Sequence, residues 1–270
     1  MKQTFQIRNR LLKVEPSGSV LNAIGILESF DSSNPTQSLA HISRRLGIPK
    51  ATAFRNLAAL ERTGYVTRDP ATNTFALGTR VLELARRFLD QNELLAVARP
   101  VLADLAAETG ETAHLGVLAG ADVVYLEIAE SPQRVRAVVA RGDRLPAHCV
   151  ASGKAILAHC DAHVIASVIA AGLERLTSHT ITTAEGLLED LAAARARGYG
   201  LNLGEWLEDV VAVSAPVFSH TGQVVGAIGI AAPRSRLEPA KADTLGPRIR
   251  DHADRLSAMF GAGAKLAEAG

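Results

Sequence analysis

Between Pro49 and Asn56 the chain reads PKATAFRN. Lys50 or Arg55 can donate to a guanine edge, Asn56 can pair with adenine, and Thr52 can bond a phosphate or meet a thymine methyl. Ala51 is short enough to let a backbone come close. This is the residue set of a helix that enters the ~12 Å major groove, where the first turn must carry short or polar side chains. Arg44 and Arg45 lie just upstream, placed for phosphate contact. Arg68 and Asn73 lie downstream, within reach of backbone or minor groove. Arg8 and Arg10, near the start, can act as an arm in the same way.

The second half offers residues for catalysis or metal binding, and each candidate falls short. Ser152-Gly153-Lys154 would need Gly at 148 and Ser or Thr at 155 to form a phosphate loop, but these are His148 and Ala155. His148-Cys149 suggests a nucleophile with its base. Adjacent residues seldom face each other, and no orienting group follows. His159 and His163 have the i, i+4 spacing of a metal pair, but the segment reads as a helix end followed by a cap. Neither G-x-S-x-G nor H-E-x-x-H occurs. No metal and no cofactor is expected.

The elements that would carry these residues follow from periodicity. Residues 20–30 have helical spacing. A helix from Ser38 to Gly47 and another from Pro49 to about Thr63 follow, closed by Gly47 and Gly64. Residues 65–68 and 74–77 form a hairpin, so residues 20–78 make a winged helix-turn-helix preceded by a flexible basic arm at 1–19. Two helices over 79–110 read as a helical linker and dimer region. Beyond 110 strands are expected at 112–118, 123–128, 135–140, 210–218 and 224–231, with helices near 152, at 162–171, 184–197 and 240–260. The tail 261–270 reads as loose. The fold class is α+β: winged helix-turn-helix, helical linker, then a mainly antiparallel sheet with flanking helices over 111–260.

Composition agrees with this division. The chain has 270 residues, 47% apolar, and a formal net charge of +1. Residues 1–78 hold ten basic and five acidic side chains, an excess of +5, whereas the remaining 19 basic and 23 acidic residues leave −4. A basic end on an acidic body suggests a polyanion partner at that end. There is no apolar run of about 18 residues and no secretory h-region, so neither membrane nor export is expected. Two cysteines, Cys149 and Cys160, suit a reducing cytoplasm.

The segments SVLNAIGILESF, SLAHISRRLGIPKATAFRNLAALERTGYVTRD and FALGTRVLELA resemble the N-terminal half of an IclR-family transcriptional regulator. GDRLPAHCVASGKAILA, ARARGYGLN and VSAPVFSHTGQVVGAIGIAAPRSRL resemble its effector domain, in the same order over about residues 18–240. The resemblance implies a GAF-like body that binds a small organic effector, a homodimer or dimer of dimers, and a roughly palindromic double-stranded DNA operator. It places the effector pocket at Ala151, Ser152 and Gly153 on one loop and at Asn202, Ala212, Ser214, Gly229 and Ala231 on strands. Members that bind two- or three-carbon keto acids carry Ser at 229 and 231, Cys at 212 and Asp at 202. Fewer polar groups leave a compact carboxylate poorly paired, which favours a bulkier, partly apolar effector such as an aromatic acid. Trp206 can stack on a ring. His148, Arg141 and Arg144 are candidates to meet a carboxylate. The competing expectation is a small-molecule-transforming enzyme with an accessory helix-turn-helix domain.

Overall fold

The computed structural model describes residues 18–31, 33–136 and 139–268. The arm residues Arg8 and Arg10 lie outside them. The chain divides into two compact units, one ending at Gln91 and the other beginning at Asn92.

The first unit starts with helix α1 (Gly18–Glu28) and a two-residue strand β1 (Gln37–Ser38). Helix α2 (Leu39–Leu46) starts where the Ser38 hydroxyl accepts from the His41 N–H. It stops at Gly47, whose φ of 67° needs a residue without a Cβ. Helix α3 (Lys50–Arg62) follows Pro49, which stands at the cap position rather than inside the helix. Strands β2 (Val66–Asp69) and β3 (Thr74–Leu77) form the hairpin, and β1 adds to it in the order β1-β3-β2. Ile26, Ile42, Leu57, Leu60, Val66 and Phe75 fill the core. Helix α4 (Arg80–Asp90) ends the unit without burying a single residue.

The second unit opens with α5 (Glu93–Thr109), capped by the Asn92 side chain and Gly110. The expected linker therefore divides: α4 belongs to the first unit, whereas α5 buries Leu95, Val101, Leu102 and Leu105 within the second. Six antiparallel strands follow the order β6-β5-β4-β9-β8-β7. They are β4 (Thr112–Ala119), β5 (Asp122–Ala129), β6 (Arg144–Pro146), β7 (Gly200–Leu203), β8 (Val210–Phe218) and β9 (Val224–Pro233). Between β6 and β7 lie a 3₁₀ turn (Ala147–Cys149) and helices α6 (Ala151–Leu157), α7 (Ala162–Ala171) and α8 (Ala184–Arg197). Helix α6 covers one face of the sheet, and α9 (Pro239–Glu268) packs on the other with α5. Two neighbouring residues show the two faces. Tyr199 bonds Asp243 of α9, while Gly200 lies against the backbone of α6 at a distance no Cβ would tolerate.

Two expectations change here. The described residues of 135–140 form no strand; residues 137 and 138 lie outside the description. The backbone N–H and C=O of Tyr125 are taken by Asp143 and Gly142, so the edge of β5 pairs with the chain after residue 140 and the strand is β6. The last helix continues to Glu268 instead of ending in a loose tail, drawing on the strong helix formers Ala, Lys, Leu and Glu. Among the described residues, no helix is long and apolar enough to cross a membrane.

Candidate nucleic-acid interface and effector site

On α3, Ala53, Asn56, Leu57 and Leu60 face inward. The opposite side presents Ala51, Arg55, Ala58 and Arg62, flanked by Lys50 and Phe54, all exposed; Thr52 is half-buried. Helical geometry thus corrects one expectation. Asn56 shares the side of Leu57 and Leu60, its amide donates to the Thr52 C=O at 2.9 Å, and it accepts the Ser19 hydroxyl at 3.2 Å. It ties α1 to α3 and is not presented for adenine. Phe54, half exposed beside Arg55, escaped the sequence reading because an apolar residue in a helix defaults to the core.

The flanking basic residues are exposed. Arg44 and Arg45 end α2, and Arg45 pairs with Asp31 at 2.8 Å. Hydrogen bonds from Arg45 and Asn34 hold the Asp31 carboxyl down at about 2. On the wing, Arg68 donates to the Asn73 side-chain oxygen at 2.8 Å and lies 5.8 Å over the Phe75 ring. Asn73 itself takes a left-handed φ of 58°, tightening the turn.

In the second unit, ladder register brings the sequence-derived effector residues together. Asn202, Ala212, Ala231 and Thr112 form one row across four strands, and Gly200, Ser214, Gly229 and His114 form the next. Helix α6 brings Ala151 into an apolar cluster with Ala212 and Ala231, and Ser152 comes to Gly116. Gly153 is required because a Cβ there would sit 2.0 Å from the Ala147 carbonyl oxygen. Asn202 turns its side-chain oxygen onto the N–H groups of Gly204 and Glu205. Trp206, half-buried, packs against the cluster that contains Tyr125 and Cys149.

The basic candidates for a carboxylate are engaged elsewhere. The Nε2 of His148 sits 3.1 Å from the Glu174 carbonyl oxygen, and burial pushes its pKa down. Arg141 pairs with Glu127, and Arg144 with Asp122 and the Ala119 carbonyl. A cleft of about 180 Å³ lined by Arg99, Leu102, Glu127, Ile128 and Arg141 borders the second row, because Ile128 is the ladder partner of His114. Its Glu127 carboxylate is taken by both arginines.

Several polar groups of this site went unnamed in the sequence. His114 places Nε2 3.1 Å from the Ser214 hydroxyl, with its ring edge-on to Tyr125 at 5.1 Å. The Tyr125 hydroxyl lies 3.1 Å from that of Ser152. Burial holds His114 down at about 4 and pushes Tyr125 up to about 12. The signal was present: His114 stands two residues from Thr112 and two from Gly116 on an apolar strand. Lys154, 1% exposed, reaches Glu205 at 2.5 Å and Asp190 at 2.9 Å. Burial raises the Glu205 carboxyl despite that ammonium.

The chemistry of these groups does not assemble a nucleophile. The Cys149 thiol donates to the Pro146 carbonyl, and burial pushes it up to about 12. His159 stacks edge-on against Phe218, and His163 lies 3.9 Å from Asp161. Among the described residues, no group of three or more His, Cys, Asp or Glu could hold a metal.

Residues 19–70 match the family described as the IclR helix-turn-helix domain, and residues 86–258 match the bacterial transcriptional regulator IclR C-terminal family. A probable transcriptional regulator, SauR of Cupriavidus necator, is 34% identical over 90% of this chain and 97% of its own. The crystal structure of an IclR transcriptional regulator from Alicyclobacillus acidocaldarius is 30% identical, with a TM-score of 0.80 over 92% of this chain and all of that one. That of an IclR homolog from Microbacterium hydrocarbonoxydans, complexed with 4-hydroxybenzoate, is 25% identical, with a TM-score of 0.74 over 89% of this chain and 99% of that one. The matched families and the Cupriavidus relative are transcriptional regulators, not enzymes. With both units matched in order, the chain belongs to the IclR family of DNA-binding transcriptional regulators.

Proposed function

We propose that α3 reads the major groove of a specific operator and that a partly apolar organic acid, aromatic in type, controls that binding. The outward stripe of α3 carries the first half. Ala51 and Ala58 permit close approach, and Arg55 and Lys50 supply guanine donors. Phe54 offers an apolar contact for a thymine methyl. Thr52, Arg44, Arg45, Arg68 and Asn73 contact phosphates and the minor-groove side. Asn56 is left out of this set because its amide is spent inside the fold.

The two rows of small side chains beneath α6 support the second half. The small side chains of Ala151, Ala212, Gly229 and Ala231, with hydroxyls from Ser152 and Ser214, suit a ring better than a two-carbon acid. The Microbacterium relative with 4-hydroxybenzoate supports that choice. Trp206 stands at the neighbouring cluster, where it contacts a bound ring or reports its arrival.

The protein works as a homodimer or a dimer of dimers on a roughly palindromic site. Leu82, Leu84 and Phe88 on α4 are 73%, 54% and 55% exposed, and a second copy covers them. Effector controls DNA only by favouring one of two arrangements of the helices that join the units. Gel-shift titration of a duplex selected from random DNA, with and without 4-hydroxybenzoate, tests both halves. A specific complex whose affinity changes with the acid is expected. Equal binding to scrambled duplex would overturn the reader, and an unmoved affinity the effector class.

A further inference from the structure

Four neutral polar groups meet among the small side chains beneath α6. His114 and Ser214 come from the sheet, and Tyr125 and Ser152 join the sheet to α6. His114 is on β4 and Ser214 on β8, with β9 between them, and Gly229 occupies the intervening register position. A Cβ on Gly229 would lie 2.1 Å from both the Ser214 hydroxyl and the Val213 carbonyl oxygen, so only glycine fits beside the imidazole–hydroxyl pair. His114 is 2% exposed, and its Nδ1 has no hydrogen-bond partner among the described residues. A buried, unpaired ring nitrogen is costly, and a ligand group supplies the missing partner.

The charge balance around this ring decides what that group brings. The nearest cation on α6, Lys154, is neutralised by Glu205 and Asp190. The titratable groups facing the ring are Tyr125 of β5 and, behind it on the 3₁₀ turn, Cys149. Both stay protonated, at about 12. From β8 and α6 the neighbours are the hydroxyls of Ser214 and Ser152, and β9 contributes Gly229 and Ala231. A carboxylate entering here meets hydroxyls and, among the described residues, no free cation, and burying it bare is expensive. Within this set the imidazole alone can become a cation near neutral pH.

We infer that this cluster takes an aromatic carboxylate together with one proton, captured by His114, so that His114 selects acids over their neutral analogues. The inference rests on the aromatic-acid reading above. Free His114 is neutral at pH 6–8 because burial holds it at about 4. A bound carboxylate raises it, so each bound acid takes up a proton and affinity weakens as pH rises, by up to about tenfold per unit.

Calorimetry of the full-length protein with benzoate and 4-hydroxybenzoate, in phosphate and in Tris at pH 6, 7 and 8, measures that proton directly. Benzyl alcohol serves as the neutral control. The expected result is uptake of about one proton per acid and none for the alcohol, with the uptake lost in His114→Gln. NMR of the wild-type imidazoles provides the same reading without a variant: one buried histidine turns to imidazolium on acid binding. Acid binding without uptake, or uptake unchanged in His114→Gln, overturns the role of His114 and leaves the aromatic-acid reading standing. Failure of both acids to bind the wild type overturns that reading and this inference with it.

Discussion

Replacing Lys154 with Met tests the buried ionic network most severely. The side chain keeps its volume, so the change is chiefly the loss of the ammonium that sits 2.5 Å from Glu205 and 2.9 Å from Asp190. Asp190 is about a quarter exposed and keeps Arg197 at 3.8 Å, so most of the cost falls on Glu205, 9% exposed at its side chain. Stripping one partner from a buried pair costs about 3–5 kcal/mol. The carboxylate has one escape, protonation. From an ordinary glutamate value near 4.3, that costs about 3.7 kcal/mol at pH 7 and about 1 kcal/mol at pH 5. The deficit is therefore capped near 4 kcal/mol at pH 7. The sign follows from proton counting. A raised carboxyl in the folded variant binds a proton that the unfolded chain has released, so stability falls as pH climbs from about 4.3 toward the folded value. Wild-type Glu205 is also raised by burial, so the difference between the two proteins is the quantity to read. Trp206, the single tryptophan, adjoins Glu205 and makes urea unfolding visible by fluorescence. Wild type and Lys154→Met, compared at pH 5, 6, 7 and 8, should diverge with rising pH, and adding Glu205→Gln should recover much of the loss. A deficit below about 1 kcal/mol at pH 7, or one that does not shrink toward pH 5, would refute the reasoning.

Arg55→Ala and Asn56→Ala, neighbours on α3, should separate cleanly. The first loses about 1–3 kcal/mol of specific binding with unchanged melting temperature, and the second lowers melting temperature through its lost bonds to Thr52 and Ser19. Gel shifts and thermal melts decide, and the reverse pattern would contradict the placement of both. Gly229→Ser should destabilise the second unit because its Cβ meets the Val213 carbonyl oxygen as closely as the Ser214 hydroxyl, and Ser214→Ala, which leaves the backbone in place, should not restore it; full recovery in thermal melts would contradict the backbone contact as the cause. Leu82→Glu with Phe88→Glu should shift the protein toward monomer in analytical ultracentrifugation, and an unchanged sedimentation profile would exclude α4 as the contact.

Much of the first unit was legible because its boundaries are chemical. Ser38 caps α2, Gly47 needs its left-handed turn, and Pro49 stands where its missing N–H costs little. The β8–β9 hairpin was legible for the same reason, through its turn at Gly222. What escaped depends on contacts distant in sequence. The two-residue β1 has no pattern of its own and exists by pairing with β3. The strand expected at 135–140 gives way to β6 because Ala140–Asp143 turns back onto Tyr125 through backbone bonds that no periodicity encodes. Asn56 was misdirected by a choice of residue type over helical angle. The candidate effector residues follow from a resemblance, and only ladder register places His114 in the same row as Ser214 and Gly229. The partners of Lys154 lie 36 and 51 residues away, so its burial had no local signature.

Selection of duplexes from random DNA by the full-length protein and by Arg55→Ala, sequenced side by side, tests the central claim most directly. A reader of base edges through α3 yields a strong enriched motif with two related half-sites for the wild type. The variant then loses its preference at one position of each half-site while keeping the rest. No enrichment by the wild type, or the same motif from both proteins, would contradict sequence recognition by this helix.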